Sequence, residues 1–225
     1  MKRQLFQWLM VIALIFISSC GIKEIPKVDI FNPSDLEECR SLEEREMYSD
    51  IPLITDKEIC LSNYGKITGD FTKCNDEEKP YCMGGVAAKS NNFSLCDDEY
   101  CFLAMGLSSN LDFCETFDYD EKLTLFIDFE QEARDICKLG AAVSNKDVSI
   151  CKSFDDESYL NYYCNINVAK QTKNANICES LEEYTSQECF FVVALEKRDK
   201  SLCNKATERK QECQDILTEK EPSKN

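Results

Sequence analysis

The fifteen cysteines are the side chains of this protein most able to do covalent chemistry. Thiols can form disulfides, carry a lipid thioether, bind zinc or act in redox catalysis. The cysteines recur at a nearly constant interval, because five pairs stand fourteen residues apart and a sixth stands thirteen apart. These pairs are Cys60/Cys74, Cys82/Cys96, Cys137/Cys151, Cys164/Cys178, Cys189/Cys203 and Cys101/Cys114. Such regular spacing indicates an internal repeat.

Metal binding and redox catalysis are the weaker interpretations of these thiols. The chain has no histidine and no Cys-x-x-Cys pair, and its two closest cysteines, Cys96 and Cys101, are isolated from the others. A zinc site and thioredoxin-like chemistry both need such groups. We therefore expect structural disulfides, and neither a metal nor a cofactor. No Walker loop, G-x-S-x-G motif or histidine base is present, so the sequence predicts no catalytic residue.

The N-terminal segment has the order of a signal peptide, with Lys2 and Arg3 followed by an apolar run over residues 8–17. The run ends in Ile17-Ser18-Ser19-Cys20, which resembles the signal of prokaryotic lipoproteins. In that family the cysteine is lipidated and the peptide is cut just before it. The resemblance implies that residues 1–19 are removed and that Cys20 carries a membrane anchor outside the cytoplasm. The alternative, an uncleaved anchor, would have an apolar stretch shorter than the ~20 residues that span a bilayer.

Fourteen cysteines remain without Cys20, and two pairing schemes are open. Joining the regularly spaced neighbours uses twelve and strands Cys39 and Cys213. The other scheme joins consecutive cysteines within each repeat and uses all fourteen. We prefer it because it leaves no free thiol in a compartment where disulfides persist. That scheme pairs Cys39 with Cys60, Cys74 with Cys82, Cys96 with Cys101, Cys114 with Cys137, Cys151 with Cys164, Cys178 with Cys189, and Cys203 with Cys213.

The residues around the cysteines predict two helices per repeat, A and B. The second cysteine of each regularly spaced pair would lie in helix A, and an Asn or Asp four residues before it would cap that helix. These capping residues are Asn92, Asn110, Asp147, Asn174 and Asp199. Helix B would follow a polar turn, and Thr185-Ser186-Gln187-Glu188 has capping-box form at one such start. A small residue five positions after the cysteine of helix B would let a neighbouring helix approach closely. These residues are Gly65, Ala87, Gly106, Ala142, Ala169 and Ala194.

The sequence therefore predicts an all-α fold of tandem short helical hairpins, arranged as an α-solenoid or a compact stack and cross-linked by about seven disulfides. Helices of ~8–12 residues are marginal in water, so the disulfides would supply stability. The body resembles the tetratricopeptide superclass, although its repeats are shorter than ~34 residues and lack that family's landmark residues. We expect a helical-repeat domain over 34–217, between a lipidated tether over 20–33 and a disordered tail over 218–225.

The protein is strongly acidic, with a net charge of −16. Loss of the leader leaves 24 Lys and Arg against 42 Asp and Glu, a net charge of −18, so nucleic acid is excluded as a partner. Acids concentrate in the A-to-B turns, namely 75–78, 97–99, Asp118, Asp120-Glu121, 155–157 and Glu182-Glu183. Basic residues follow helix B, namely Lys89, Lys146, Lys170, Lys173, Lys197 and Arg198. Stacked repeats would then have one acidic and one basic edge. We interpret the charges of both edges as solvated charges at helix ends. A partner-binding edge or weak calcium sites are the alternatives.

Three further features suggest weaker candidates. Asn92-Phe93-Ser94 matches a glycosylation sequon, although the cap role explains the same residues. Tyr81, Tyr100 and Tyr163 each precede a cysteine, and we expect core packing beside the disulfides rather than an exposed aromatic row. The insertion over 115–136 is unusually long, and long connections often have a function.

These observations predict a protein-protein interaction or structural module at the cell envelope. Its expected partners are the membrane, through the N-terminal lipid, and another exported protein or peptide. The alternative is an envelope enzyme or enzyme inhibitor with its site in the 115–136 insertion.

Overall fold

The computed structural model describes residues 28–42, 53–116, 127–155 and 158–219. Within these ranges the chain forms α-helices and short 3₁₀ helices and no strand, which confirms the all-α fold class. The α-helices are α1 (Leu36–Arg40), α2 (Asp56–Thr68), α3 (Lys79–Ser90), α4 (Glu99–Leu107), α5 (Leu111–Glu115), α6 (Ile127–Asn145), α7 (Tyr159–Thr172), α8 (Glu183–Lys197) and α9 (Lys210–Glu219). No helix in the described ranges has the length and apolar content that crossing a membrane requires.

Each predicted helix B is a true α-helix, but helix A is an α-helix only in α1 and α5. In four other repeats the A segment is a 3₁₀ helix of three or four residues, at Phe93–Leu95, Ile150–Ser153, Cys178–Ser180 and Leu202–Asn204. The prediction of two α-helices per repeat was therefore wrong in these units. The reason is length, because so short a segment closes one turn, and short runs are where the tighter 3₁₀ geometry occurs.

Seven disulfides link each A segment to the helix that follows it. The linked cysteines are those of the predicted within-repeat scheme, and they lie 5 to 23 residues apart in sequence. The pairs are Cys39–Cys60, Cys74–Cys82, Cys96–Cys101, Cys114–Cys137, Cys151–Cys164, Cys178–Cys189 and Cys203–Cys213. All fourteen cysteines are buried. Seven buried disulfides indicate an oxidising, extracytoplasmic environment.

The long helices α2 and α3 run in the same direction. The hydroxyl of Tyr81, in the first turn of α3, donates to Glu58 Oε1 in the first turn of α2 at 2.7 Å. At the other end, Lys89 Nζ donates to the carbonyl of Ile67 at 2.8 Å, so the two last turns also meet. The ring of Tyr100 continues the row, because it contacts the ring of Tyr81 from the first turn of α4. The A segments are thus the return connections between helices of one orientation.

The ends of α6, α7 and α8 explain why a basic residue is followed directly by Asn or Asp between repeats. Lys146, Lys173 and Arg198 have left-handed backbone, with φ of 54–57°. The next residue then donates its N–H back to the alanine five positions earlier, as Asp147 does to Ala142 at 2.9 Å. The Asp147 carboxylate also accepts from the Ser149 hydroxyl and N–H, which lowers its pKa. One Asp therefore ends helix B and begins the return turn.

The predicted small residues mark close helix contacts at two glycines. A Cβ on Gly65 would lie 2.8 Å from the carbonyl carbon of Cys82 in α3, and one on Gly106 would lie 2.8 Å from that of Cys137 in α6. Both distances are well below normal van der Waals contact. At these positions the helix backbones touch each other directly, as the pattern predicted.

The best-formed helix cap lies at Thr55 and Glu58, where side chain and backbone bond reciprocally at the start of α2. The predicted capping box at Thr185 is wrong, because α8 begins two residues earlier, at Glu183, and Thr185 lies inside its first turn. A capping-box match alone does not distinguish a cap from a residue of the first turn.

The stack folds back on itself, since the start of α2 meets α7. The N–H of Ile54 donates to Asn167 Oδ1 at 2.8 Å, and Lys170 Nζ donates to the Ile54 carbonyl. Lys170 is 8% exposed, so the prediction that it is a solvated edge charge was wrong. Its ammonium group caps a backbone carbonyl instead, which compensates a buried charge. The arrangement is a compact curled stack.

Candidate functional site

Because neighbouring long helices run the same way, the first turns of α2, α3, α4 and α7 lie along one surface, together with the second turn of α6. We call this surface the helix-start edge. It gathers carboxylates and tyrosines, namely Glu58, Tyr81, Asp98, Glu99, Tyr100, Glu132, Tyr159 and Tyr163. Acids are favoured there because helix N-termini carry positive partial charge.

Glu58, Tyr81 and Asp98 form a fixed part of the helix-start edge. Glu58 accepts from the Thr55 N–H at 2.6 Å as well as from the Tyr81 hydroxyl. Burial, together with the charge and hydrogen bond of Glu58, raises the pKa of Tyr81, which therefore stays protonated and donates. Asp98 accepts from the Cys101 N–H at 2.8 Å and caps α4. These side chains are already engaged in holding the helix starts together.

Tyr100 projects from this fixed part into solvent. Its side chain is 50% exposed and meets the ring of Tyr81 edge to face, with centroids 5.9 Å apart. The expectation that all three cysteine-preceding tyrosines are core residues was therefore wrong for Tyr100. The reason is its position on α4, since the cysteine beside it turns inward and leaves the tyrosine on the outer face. Tyr81 and Tyr163 are partly buried.

A cleft of about 230 Å³ opens between the first turn of α4 and the second and third turns of α6. Buried apolar side chains of Phe102, Ala133 and Ile136 form its floor. The carboxylates of Glu99 and Glu132 line its rim, one on each helix, and both residues are exposed. The cleft therefore combines an apolar base with two negative charges.

Tyr159, at the start of α7, stands beside this rim. Its side chain is 53% exposed and its hydroxyl lies 3.5 Å from Glu132 Oε1. Burial of part of the ring, followed by the charges of Glu132 and Glu99, raises the pKa of Tyr159. Its ring packs edge to face on Tyr163 at 5.7 Å, and Tyr163 in turn contacts Tyr162 at 4.8 Å. A supported aromatic ring thus faces solvent next to two carboxylates.

The chemistry of the helix-start edge suits recognition of cations. Carboxylates accept strong hydrogen bonds from ammonium and guanidinium groups, and tyrosine rings attract the same groups through their faces. In the described ranges no three His, Cys, Asp or Glu side chains are grouped so as to hold a metal ion.

Other predicted site residues lie elsewhere. Cys20 and the leader, with 117–126, Asp156 and Glu157, fall outside the described residues. Glu78 is 4% exposed and pairs with Arg40 at 2.8 Å, so this acid of the A-to-B turn is structural rather than free for a partner. Asn92 of the sequon is exposed, and its side chain accepts from the Ser94 hydroxyl.

The predicted insertion over 115–136 contributes to the cleft. Residues 127–136 of it belong to α6, and they provide Glu132, Ala133 and Ile136. The roles of Glu132 and Tyr159 were missed from the sequence. The available signal was their place near the start of a B helix, but their meeting depends on how the helices stack.

Comparison with protein-family models, with curated proteins and with solved structures finds no match to this chain. The function is therefore argued from the site itself.

Proposed function

We propose that this protein is an exported, lipid-anchored interaction module of the cell envelope, which holds another exported protein or peptide on its helix-start edge. The observation that carries the proposal is the pair of half-exposed tyrosines, Tyr100 and Tyr159, on an acidic surface. Tyrosine is enriched among residues that dominate binding energy, and rigidly supported rings lose little entropy on binding.

The anchor in this proposal is the lipid on Cys20. With a net charge of −18 after loss of the leader, the protein is repelled by an anionic membrane surface, so the lipid alone must hold it there. Replacing Cys20 with serine should abolish labelling by a radioactive fatty acid. It should also release the protein from the membrane fraction. A Cys20→Ser chain that still takes up the label would contradict this part of the proposal.

Binding is favoured over catalysis by the size and content of the cleft. Small-molecule sites usually enclose ~300–1,000 Å³, and this cleft is smaller at about 230 Å³. It is suited to one side chain of a partner rather than to a whole substrate. Neither rim carboxylate can be paired with a histidine base, because the chain has none.

The test is capture of envelope proteins from the native host by the full oxidised chain with a photo-crosslinker. Wild type should enrich one exported protein, and the double variant Tyr100→Ala/Tyr159→Ala should lose about tenfold or more of that enrichment. Tyr184→Ala is the matched control, since Tyr184 is 62% exposed on the first turn of α8 and is not among the residues that define the helix-start edge. Equal enrichment by the double variant and wild type would refute the assignment of the helix-start edge.

A further inference from the structure

We infer that the cleft between α4 and α6 takes the cationic side chain of a lysine or arginine from a basic segment of the partner protein. This inference rests on the proposed function and names the chemistry of the partner. Its central residues are Glu99 and Glu132 on the rim and Tyr159 beside it.

The shape of the cleft matches a long basic side chain. Lysine and arginine carry an aliphatic stem below a charged head, and the stem packs on apolar surface while the head stays polar. Phe102, Ala133 and Ile136 close the base of the cleft, so the end of such a stem would meet apolar rather than polar atoms there. The head would then lie between the two carboxylates at the rim.

The rim carboxylates are those left available on this part of the helix-start edge. Glu58 is bonded to Thr55 and Tyr81, and Asp98 caps α4. Glu132 has a long contact of 3.5 Å with the Tyr159 hydroxyl, and Glu99 faces it across the cleft. Two exposed carboxylates that line one cleft from different helices can both accept charge-assisted hydrogen bonds from one cation.

Charge complementarity selects a basic segment over other occupants. The mature chain carries a net charge of −18, and its field attracts cationic segments and repels acidic ones. Tyr159 adds a ring face beside the rim, where a guanidinium or ammonium group gains cation–π attraction. An apolar peptide would leave both carboxylates without partners, and an acidic peptide would be repelled.

The probe is a fluorescein-labelled synthetic peptide of alternating glycine and serine with interspersed arginines, measured by anisotropy against the full oxidised chain in detergent. We expect the arginine peptide to bind and a glutamate version not to bind. Glu99→Gln/Glu132→Gln should weaken binding about tenfold, which is the loss of roughly one hydrogen bond to a charged group. Tyr159→Ala should weaken it severalfold, and Tyr184→Ala should leave it unchanged.

The matched control for charge is Glu182→Gln/Glu183→Gln, which removes the same two charges at the exposed start of α8. Binding within twofold of wild type is expected for this control. An equal loss in both double variants would show nonspecific attraction and overturn the inference. Displacement of the peptide by an equimolar free polyamine would also overturn it, since the cleft would then recognise small amines.

The two proposals can fail separately. If capture of the native partner depends on Tyr100 and Tyr159 while the arginine peptide does not bind, the cleft inference is wrong and the proposed function stands. If the arginine peptide binds through Glu99 and Glu132 while partner capture ignores the helix-start edge, the proposed function is wrong.

Discussion

Gly106→Ala tests the close packing of α4 on α6. A Cβ at this position would lie 2.8 Å from the carbonyl carbon of Cys137 and 3.0 Å from the amide nitrogen of Ala141. Non-bonded carbon atoms normally stay ~3.5–4.0 Å apart, so the two helices would have to separate by about 1 Å. The obstacle is backbone rather than a flexible side chain, which leaves little room for local relief.

Two effects compete in this substitution. Alanine is a better helix former than glycine by about 1 kcal/mol. Overpacking of a rigid contact costs about 1–3 kcal/mol, and the backbone obstacle puts this contact at the upper end. We expect a net loss of about 1–2 kcal/mol in the free energy of unfolding, which corresponds to roughly 2–8 °C in Tm for a domain of this size.

The assay is urea unfolding followed by circular dichroism, with the disulfides kept oxidised. Ser90→Ala, at the exposed end of α3, is the control and should change stability by less than about 0.5 kcal/mol. A Gly106→Ala protein as stable as wild type, or more stable, would refute the direct backbone contact.

Three further changes test the helix ends and the buried ion pair. Thr55→Ala should cost about 1 kcal/mol in urea unfolding because it removes the cap of α2, whereas Thr185→Ala should be nearly neutral because Thr185 lies within α8. An equal loss of stability in both variants would show that Thr185 caps α8 after all. Lys173→Gly should stabilise the protein by about 0.5–1 kcal/mol, since φ is 54° and glycine adopts that conformation without steric cost; a lower urea midpoint would contradict this. The Arg40 guanidinium lowers the pKa of Glu78, so the carboxylate stabilises the fold above the unfolded pKa of about 4.3 and loses that effect as pH falls through the lowered value. Glu78→Gln should therefore be less stable than wild type at pH 7 by about 1 kcal/mol, with the gap closing towards pH 3, and a gap independent of pH would argue against the ion pair.

The cysteine pattern predicted the cross-links because the number of cysteines restricted how they could pair. Fourteen body cysteines and the requirement that Cys39 and Cys213 find partners favoured pairing within each repeat, and the structure contains those pairs. The small residues at a fixed distance from the cysteine likewise predicted close contacts, which the structure shows at Gly65 and Gly106. Both are short-range patterns fixed by the repeat.

Features that depend on how distant parts of the chain stack could not be predicted from the sequence. The apolar residues on either side of a cysteine do not distinguish one 3₁₀ turn from an α-helix, so helix A was predicted too long. The exposure of Tyr100 depends on which neighbour covers it, and the burial of Lys170 depends on Ile54, which lies 116 residues earlier. The cleft needs α4 and α6 together, with Tyr159 of α7 beside it, and nothing local to Glu99 or Glu132 marks them as neighbours.

The central claim is that each of the helices α2 to α4 and α6 to α9 is joined by a disulfide to the segment just before it. Peptide mapping of the unreduced full chain by mass spectrometry tests this directly. The seven linked pairs from Cys39–Cys60 to Cys203–Cys213 are the predicted result. A Cys164–Cys178 bridge, or free thiols among these fourteen cysteines, would contradict it.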